Sequence, residues 1–155
     1  SPNEVIKAKD MIDDNFDLII GSRFKNKNPF KQDGMPFMRY FTNKIMSFIT
    51  SRLFGINLTE FHTGCKIFSK NFFYSIPIEN TSDNYLFSFE IILQAVYFKK
   101  KYGEISISSS YEGYHTSCNY LNGFIYLLGN IKLMFLYFFS KIKIFKSKTF
   151  NQWKK

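Results

Sequence analysis

An α/β layer fold is predicted for this 155-residue chain. Three observations predict it: amphipathic helical stretches alternate with short apolar runs, Gly and Pro punctuate the boundaries, and no repeat is visible. At this length one good core can be buried and hardly two. Hydrophobic residues at 45% and charged residues at 21% describe a globular chain, not a disordered one.

Ser1-Pro2-Asn3-Glu4 reads as a capping box. Ser1 suits the cap, Pro2 the first helical position, and Glu4 the return bond. A helix is therefore expected over 2–12, stopped by Asp13-Asp14-Asn15. Residues 17–24, Asp-Leu-Ile-Ile-Gly-Ser-Arg-Phe, are an apolar run closed by Gly and Ser, the pattern of a buried strand. Residues 25–34 carry Lys, Asn, Pro and Gly without periodicity and are expected to form a mobile basic loop. A second helix is expected over 35–54, opened by Pro36 and ended by Gly55. Its Phe37, Phe41, Ile45, Phe48, Ile49 and Leu53 recur at three- and four-residue steps and are read as its core face. Arg39 and Asn43 lie one turn apart on another face, a spacing that lets them point together at a ligand.

Residues 60–69 are expected to hold a strand with a tight turn at Gly64. A helix is expected over 87–102, with Phe87, Ile91, Ala95 and Phe98 facing the core and Glu90 stacked on Gln94. Residues 104–111 alternate Ile with Ser, as a half-buried strand does. A last helix is expected over 119–141. Its polar stripe of Asn119, Asn122, Tyr126, Asn130, Tyr137 and Lys141 is narrow, and the apolar face is very wide. Lys132 would sit near the centre of a spanning helix at a cost of roughly 2.5–3.5 kcal/mol. An interfacial helix anchored by the Lys-rich tail and Trp153 avoids that cost.

The formal net charge is +9. Lys141, Lys143, Lys146, Lys148, Lys154 and Lys155 concentrate it at the C-terminus, which favours an anionic partner, lipid or nucleic acid. The abundance of Phe and Tyr accompanies an abundance of Lys, Asn and Ile, so aromatic clusters are not taken as base-stacking platforms. Cys65 and Cys118 form no Cys-x-x-Cys pair, which leaves zinc and disulfide-scaffold readings unsupported. No signal peptide is visible. A chain that opens on a helix cap, without an initiator Met, is expected to be a piece of a longer protein.

Four stretches, in order, carry a resemblance. They are Asp17-Leu18-Ile19-Ile20-Gly21-Ser22-Arg23-Phe24; Gly34-Met35-Pro36 with Arg39 and Asn43; Leu58-Thr59-Glu60-Phe61-His62-Thr63-Gly64-Cys65-Lys66; and Asn80-Thr81-Ser82-Asp83-Asn84-Tyr85 followed by Phe89-Glu90-Ile91-Ile92-Leu93-Gln94-Ala95. Over residues 1–117 they resemble the C-terminal half of family 2 glycosyltransferases of the GT-A (Rossmann-like) fold, in the polyprenyl-phosphate sugar synthase branch similar to dolichol-phosphate mannosyltransferase. The resemblance implies a domain part over 1–117, and the residue pattern adds an amphipathic interfacial helix over 118–141 and a basic tail over 142–155. Glu60 stands where that family more often has Asp, Cys65 where it often has Phe, and Ser88 where an Asp is common.

The resemblance further implies inverting transfer of a sugar from a nucleotide-diphospho-sugar donor, usually assisted by Mg²⁺ or Mn²⁺. The family's Asp-x-Asp metal motif lies upstream of residue 2, so this chain contributes no principal metal ligand and is expected to be inactive alone. A polyprenyl-phosphate acceptor is already ionised and needs cationic positioning, for which Arg23, Arg39 and Asn43 are the candidates. A hydroxyl on a cell-envelope glycan acceptor would need a base, and then Glu60, with Asp83 behind it, is the catalytic candidate. Ser22, His62, Thr63, Gly64 and Glu90 are the remaining substrate-binding candidates. Each has a plainer reading as a strand-end arginine, a capping carboxylate, a structural histidine or a turn residue. On these grounds Arg23→Ala is expected to lower acceptor use more than stability. The enzyme is expected peripherally at the cytoplasmic face of the cell membrane, and with no nucleic-acid motif visible no nucleic-acid partner is expected. A non-catalytic basic module on a membrane or on nucleic acid is the alternative, motivated by charge alone.

Overall fold

The computed structural model describes residues 2–111 and 120–151. The Ser1 cap, Asn119, Cys118, the 117/118 boundary, Trp153, Lys154 and Lys155 lie outside the described residues. The described elements form an α/β arrangement in two compact units, residues 1–69 with 101–114, and residues 70–100 with 115–155.

In the first unit helix α1 (Pro2–Asp13) leads into strand β1 (Leu18–Ser22). The chain leaves α1 through Asn15, whose φ of 65° is the left-handed conformation that Asn tolerates better than most residues. β1 is the central strand of a three-stranded sheet, order β2-β1-β3. It pairs antiparallel with β2 (Lys66–Phe68) and parallel with β3 (Tyr102–Ser106), with Ile20 opposite both Lys66 and Glu104. A central strand covered on both faces reads as a continuous apolar run, and all five β1 residues are buried. α1 packs over the sheet through Ala8 against Ile19 and Ile105, with Met11, Ile12, Phe16, Ile67 and Ile107 around them. Full burial of Leu18 and Ile19 contributes roughly 1.5–3 kcal/mol each.

Two departures from the sequence expectation matter for function. The basic loop is ordered. Asn28 caps a short helix α2 (Pro29–Gln32), Lys27 pairs with Asp33 at 2.6 Å, and Asp33 also accepts from the Ser109 hydroxyl at 2.8 Å. Helix α3 (Phe37–Phe54) ends at Gly55, φ 65°, as expected, but it is turned the other way round. Its buried residues are Ser47 and Thr50, while Phe37, Phe41, Ile45, Phe48, Ile49 and Leu53 are exposed. Periodicity identifies which residues share a face; it does not say which face meets the protein.

The second unit contains α4 (Lys70–Ser75), α5 (Phe87–Tyr97), α6 (Tyr120–Lys141) and two 3₁₀ turns, Ile78–Asn80 and Lys148–Phe150. α5 is its buried centre, with Phe89 to Ala95 all inaccessible. It ends at Tyr97, short of residue 102, because Lys99 takes a left-handed φ of 54°. α6 packs on α5 and turns Asn130, Tyr137 and Ser140 inward. Phe124, Ile125, Leu128, Phe135 and Phe139 point outward. Of the expected polar stripe, Asn130 and Tyr137 face the protein, with Leu133 and Met134 beside them, while Asn122 and Lys141 are exposed. The 122–141 segment is long and apolar enough to cross a membrane, with mean hydropathy 1.4 and 28% of it buried.

Candidate functional site

The chemistry of the first unit gathers where β1 ends. Ser22 is the last residue of β1, and Arg23 follows at the carboxyl edge of the strand, the edge at which open α/β sheets bind ligands. The Ser22 hydroxyl accepts from the backbone N–H groups of Phe24 and Lys25 at 3.0 and 3.1 Å and shares a 2.7 Å hydrogen bond with the Thr59 hydroxyl. These bonds fix the turn that follows β1 and so the position of Arg23.

Arg23 and Glu60 form an ion pair held by both the guanidinium and the backbone of Arg23. The Arg23 backbone N–H donates to Glu60 Oε2 at 2.7 Å and its Nε donates to Oε1 at 2.8 Å, while Nη2 also contacts Oε1. Nη1 donates to the Tyr111 hydroxyl at 2.6 Å. Glu60 is 0% exposed and the Arg23 side chain 16%. Burial works against the guanidinium, but Glu60 and Tyr111 more than offset it and raise its proton affinity. Three of five guanidinium N–H groups are engaged in this way among the described residues, leaving two for a ligand.

Arg39, from α3, lies with its guanidinium carbon 5.7 Å from the centre of the Tyr111 ring. Tyr111 therefore joins the two arginines, one at its hydroxyl and one at its π face. Its position beyond β3 gave no sequence signal, because a lone Tyr after a strand has no motif. Asn43 follows Arg39 by one turn and is half-exposed.

Lys66 was also passed over, since it sits within an extended segment among apolar neighbours. Burial pushes its ammonium down to about 8, with Glu60 and Cys65 acting to raise it and Arg23 to lower it. Its Nζ donates to the Thr63 carbonyl. Burial, reinforced by Lys66 and Arg23, pushes His62 down to about 4, so its imidazole is neutral at pH 7. The Thr63 hydroxyl accepts from the Cys65 N–H at 3.2 Å, closing the turn over Gly64, where an added Cβ would meet open space.

Behind this group stands Glu104, also absent from the sequence reading. Its Oε1 accepts from Thr59 N at 2.9 Å, Thr59 Oγ1 at 2.8 Å and Glu60 N at 3.2 Å. Burial raises its carboxyl proton affinity, opposed by these bonds from Thr59 and Glu60 and by Lys25. β3 holds Glu104 opposite Ile20, so the sheet register itself sets the height of the Glu60 turn.

Ser22, Arg23, Arg39, Glu60, His62 and Thr63 thus belong to one neighbourhood of the first unit. Asp83 and Glu90 belong to the second. Asp83 is exposed. Glu90 is buried and accepts from Ser82 N at 2.6 Å and Ser82 Oγ at 2.9 Å. Among the described residues no three His, Cys, Asp or Glu side chains gather as a metal site.

No family model matches the chain, and no solved structure matches it. Over 115 residues it is 30% identical to a UDP-N-acetylglucosamine--dolichyl-phosphate N-acetylglucosaminyltransferase of Methanococcus voltae, covering 74% of this chain and 45% of that protein. Over 126 residues it is 32% identical to an uncharacterized protein of Methanocaldococcus jannaschii, covering 79% of this chain and 51% of that protein. The chain spans about half the length of these curated relatives. The similarity to the first is a similarity to a glycosyltransferase.

Proposed function

We propose that this chain is the acceptor-binding part of an inverting, GT-A-type family 2 glycosyltransferase that works at a membrane surface. The sugar comes from a nucleotide-diphospho-sugar, and the acceptor is a polyprenyl phosphate. The observation that carries this reading is the cationic group at the end of β1. Glu60 pairs with Arg23 and acts on the charge of Lys66, Arg39 approaches through the Tyr111 ring, and a phosphate suits this concentration of cations. Similarity to a transferase whose name includes dolichyl phosphate supports the same acceptor chemistry.

In this mechanism a phosphate oxygen of the acceptor attacks the anomeric carbon, and the bond from that carbon to the nucleoside diphosphate breaks. No proton need be removed, because the nucleophile is already anionic. The work of this chain is placement and charge neutralisation. Arg23 binds the phosphate with its two remaining donors, Arg39 approaches from the other side of Tyr111, and Lys66 adds a compact charge.

Glu60 favours the phosphate over a hydroxyl acceptor. A general base must reach the proton it takes, yet both Glu60 oxygens accept from Arg23 and the side chain is sealed from solvent. Glu60 is a positioning residue in this reading, and Glu104 positions Glu60. Asp83, Glu90, Asn43, His62, Thr63 and Gly64 are given no step. The wide apolar face of α6 and the lysines after it lie along the interface, each lysine near an anionic leaflet contributing about 1 kcal/mol. The basic-module alternative has only the net charge behind it.

The test uses the longer protein that contains this chain. Transfer of labelled sugar to polyprenyl phosphate is measured for the parent and for Arg39→Gln, which removes a cation without breaking the Arg23–Glu60 pair. Transfer should fall by about tenfold or more, with thermal stability little changed. Unchanged transfer at subsaturating acceptor would remove Arg39 from the site.

A further inference from the structure

We infer that a cavity in the second unit, between the C-terminal ends of α5 and α6, binds a polyol phosphate, free or as the polar head of a phospholipid. It shares no residue with the arginine group at the end of β1, so it stands or falls on its own. The cavity measures about 680 Å³, within the range of small-molecule sites. Lys99, Lys143 and Lys146 line it together with Tyr97, Phe145 and Phe150.

Two of the lysines are placed there by the way both helices stop. Lys99 (φ 54°) and Lys143 (φ 61°) each take the left-handed conformation just beyond a helix end, where Gly or Asn is usual. The closing bonds are the same at both ends. The Lys99 N–H donates to the Val96 carbonyl at 3.2 Å and the Lys100 N–H to that of Ala95 at 2.8 Å. The Lys143 N–H donates to the Ser140 carbonyl at 3.2 Å and the Ile144 N–H to that of Phe139 at 3.1 Å. A cation offsets the partial negative charge of a helix end, which accounts for one lysine at each. It does not account for Lys146, nor for the missing counter-charge. Among the described residues no Asp or Glu lines the cavity, and none of the three lysines forms an ion pair. The sequence holds no Asp or Glu after Glu112. A phosphate supplies the charge that the chain leaves out, and ammonium groups suit it as compact point charges.

The rest of the lining answers a body rich in hydroxyls. The buried Phe150 ring lies 5.2 Å from that of Tyr97 and 5.6 Å from that of Tyr137, a fixed aromatic floor. Phe145 is 53% exposed and offers apolar surface to the C–H side of a sugar or glycerol. The Ser140 hydroxyl accepts from the Ser147 N–H at 3.4 Å, which leaves its own O–H to donate, and Asn151 adds an amide that donates and accepts. Gln94 holds the segment before Asn151 in place by donating to the Thr149 carbonyl at 3.0 Å. A phosphate on bare hydrocarbon, such as farnesyl phosphate, leaves Ser140 and Asn151 without partners and fits the cavity poorly.

The test is saturation-transfer NMR with the whole chain. Glycerol 3-phosphate and glucose 6-phosphate serve as free ligands, and dihexanoylphosphatidylglycerol below its micelle concentration as the lipid-borne one. Lys99→Asn/Lys143→Asn removes two charges and supplies a residue that the left-handed conformation prefers. It should weaken binding about tenfold or more with the melting temperature unchanged or raised. Lys146→Gln, away from both helix ends, should weaken binding about threefold on its own. Lys132→Gln/Lys148→Gln, an equal loss of charge outside the cavity, should change it less than about twofold. Binding of the free ligands assigns the site to a soluble polyol phosphate, and binding of the lipid-borne one alone assigns it to a phospholipid head. Binding that both double variants weaken alike, or that only Arg39→Gln weakens, overturns the inference. So does failure of the folded parent to bind any of the three ligands.

Discussion

At the scale of single residues, the buried Arg23–Glu60 pair decides which substitutions report on function. Removing one member of such a pair strands the other and typically costs 3–5 kcal/mol. Arg23→Ala therefore confounds binding with stability, contrary to what the sequence alone led us to expect of it. Arg23→Ala should lower the unfolding free energy by about 3 kcal/mol, and Arg23→Met with Glu60→Leu should recover most of that loss. Chemical denaturation of both proteins checks it. Glu104 is a second case. Its Oε1 takes three donors, so Glu104→Gln, which keeps a carbonyl oxygen there, should cost less than about 1 kcal/mol. Glu104→Ala leaves the Thr59 and Glu60 N–H groups unpaired and should cost about 2–3 kcal/mol. His62 supplies a pH dependence. Its folded affinity for protons is depressed from 6.5 to about 4, so the unfolded chain binds the proton more readily. The stability this contributes is complete above about pH 6.5 and is lost as pH falls toward 4, at most about 3 kcal/mol. A His62→Gln variant should flatten that limb of a melting-temperature profile, and an unchanged profile would show that other groups produce it.

Secondary-structure elements divide into those whose residues dictate them and those that only the assembled chain determines. The start of α1 at Pro2, the stop of α3 at Gly55 and the buried run of β1 follow from local chemistry and were legible in the sequence. Arg23 and Glu60, separated by 37 residues, were named as site residues from motif resemblance, and the sheet brings them into contact. Tyr111, Lys66 and Glu104 were not legible, because each acquires its role from a long-range neighbour. β3 shows why. The Ile–Ser alternation pointed to residues 104–111, but pairing with β1 runs over Tyr102–Ser106 and places Glu104 inside. Gly103 permits that pairing, since a Cβ there would lie 2.5 Å from Met11 Cε. Gly21 is confined likewise, with Cys65 Sγ 2.7 Å from an added Cβ. Gly21→Ala should cost about 1–3 kcal/mol in a denaturation experiment, through overpacking of the central strand. In α3 the orientation itself is testable. Were Phe41 a core residue, Phe41→Ala would cost about 3–5 kcal/mol. Because it is 50% exposed, a change within about 0.5 kcal/mol is expected.

Across the whole molecule, α3 in one unit and α6 in the other share an unusual arrangement. α3 turns Ser47 and Thr50 toward protein, α6 buries Leu133, Met134 and Tyr137 with Asn130 and Ser140, and both leave other large apolar side chains exposed. Two such helices and a surplus of nine positive charges support the proposed seat at an anionic apolar boundary. The proposed acceptor, a phosphate carried by a hydrocarbon chain, matches the cationic group at the end of β1 in character. The measurement closest to that claim is phosphorus NMR of farnesyl phosphate in neutral detergent micelles, titrated with the chain. The resonance should shift saturably with the parent protein. In Arg39→Gln the shift should require about tenfold more protein, and farnesol should not displace the ligand. A phosphate resonance that stays unmoved by the folded parent chain, or that shifts equally with Arg39→Gln, contradicts the account.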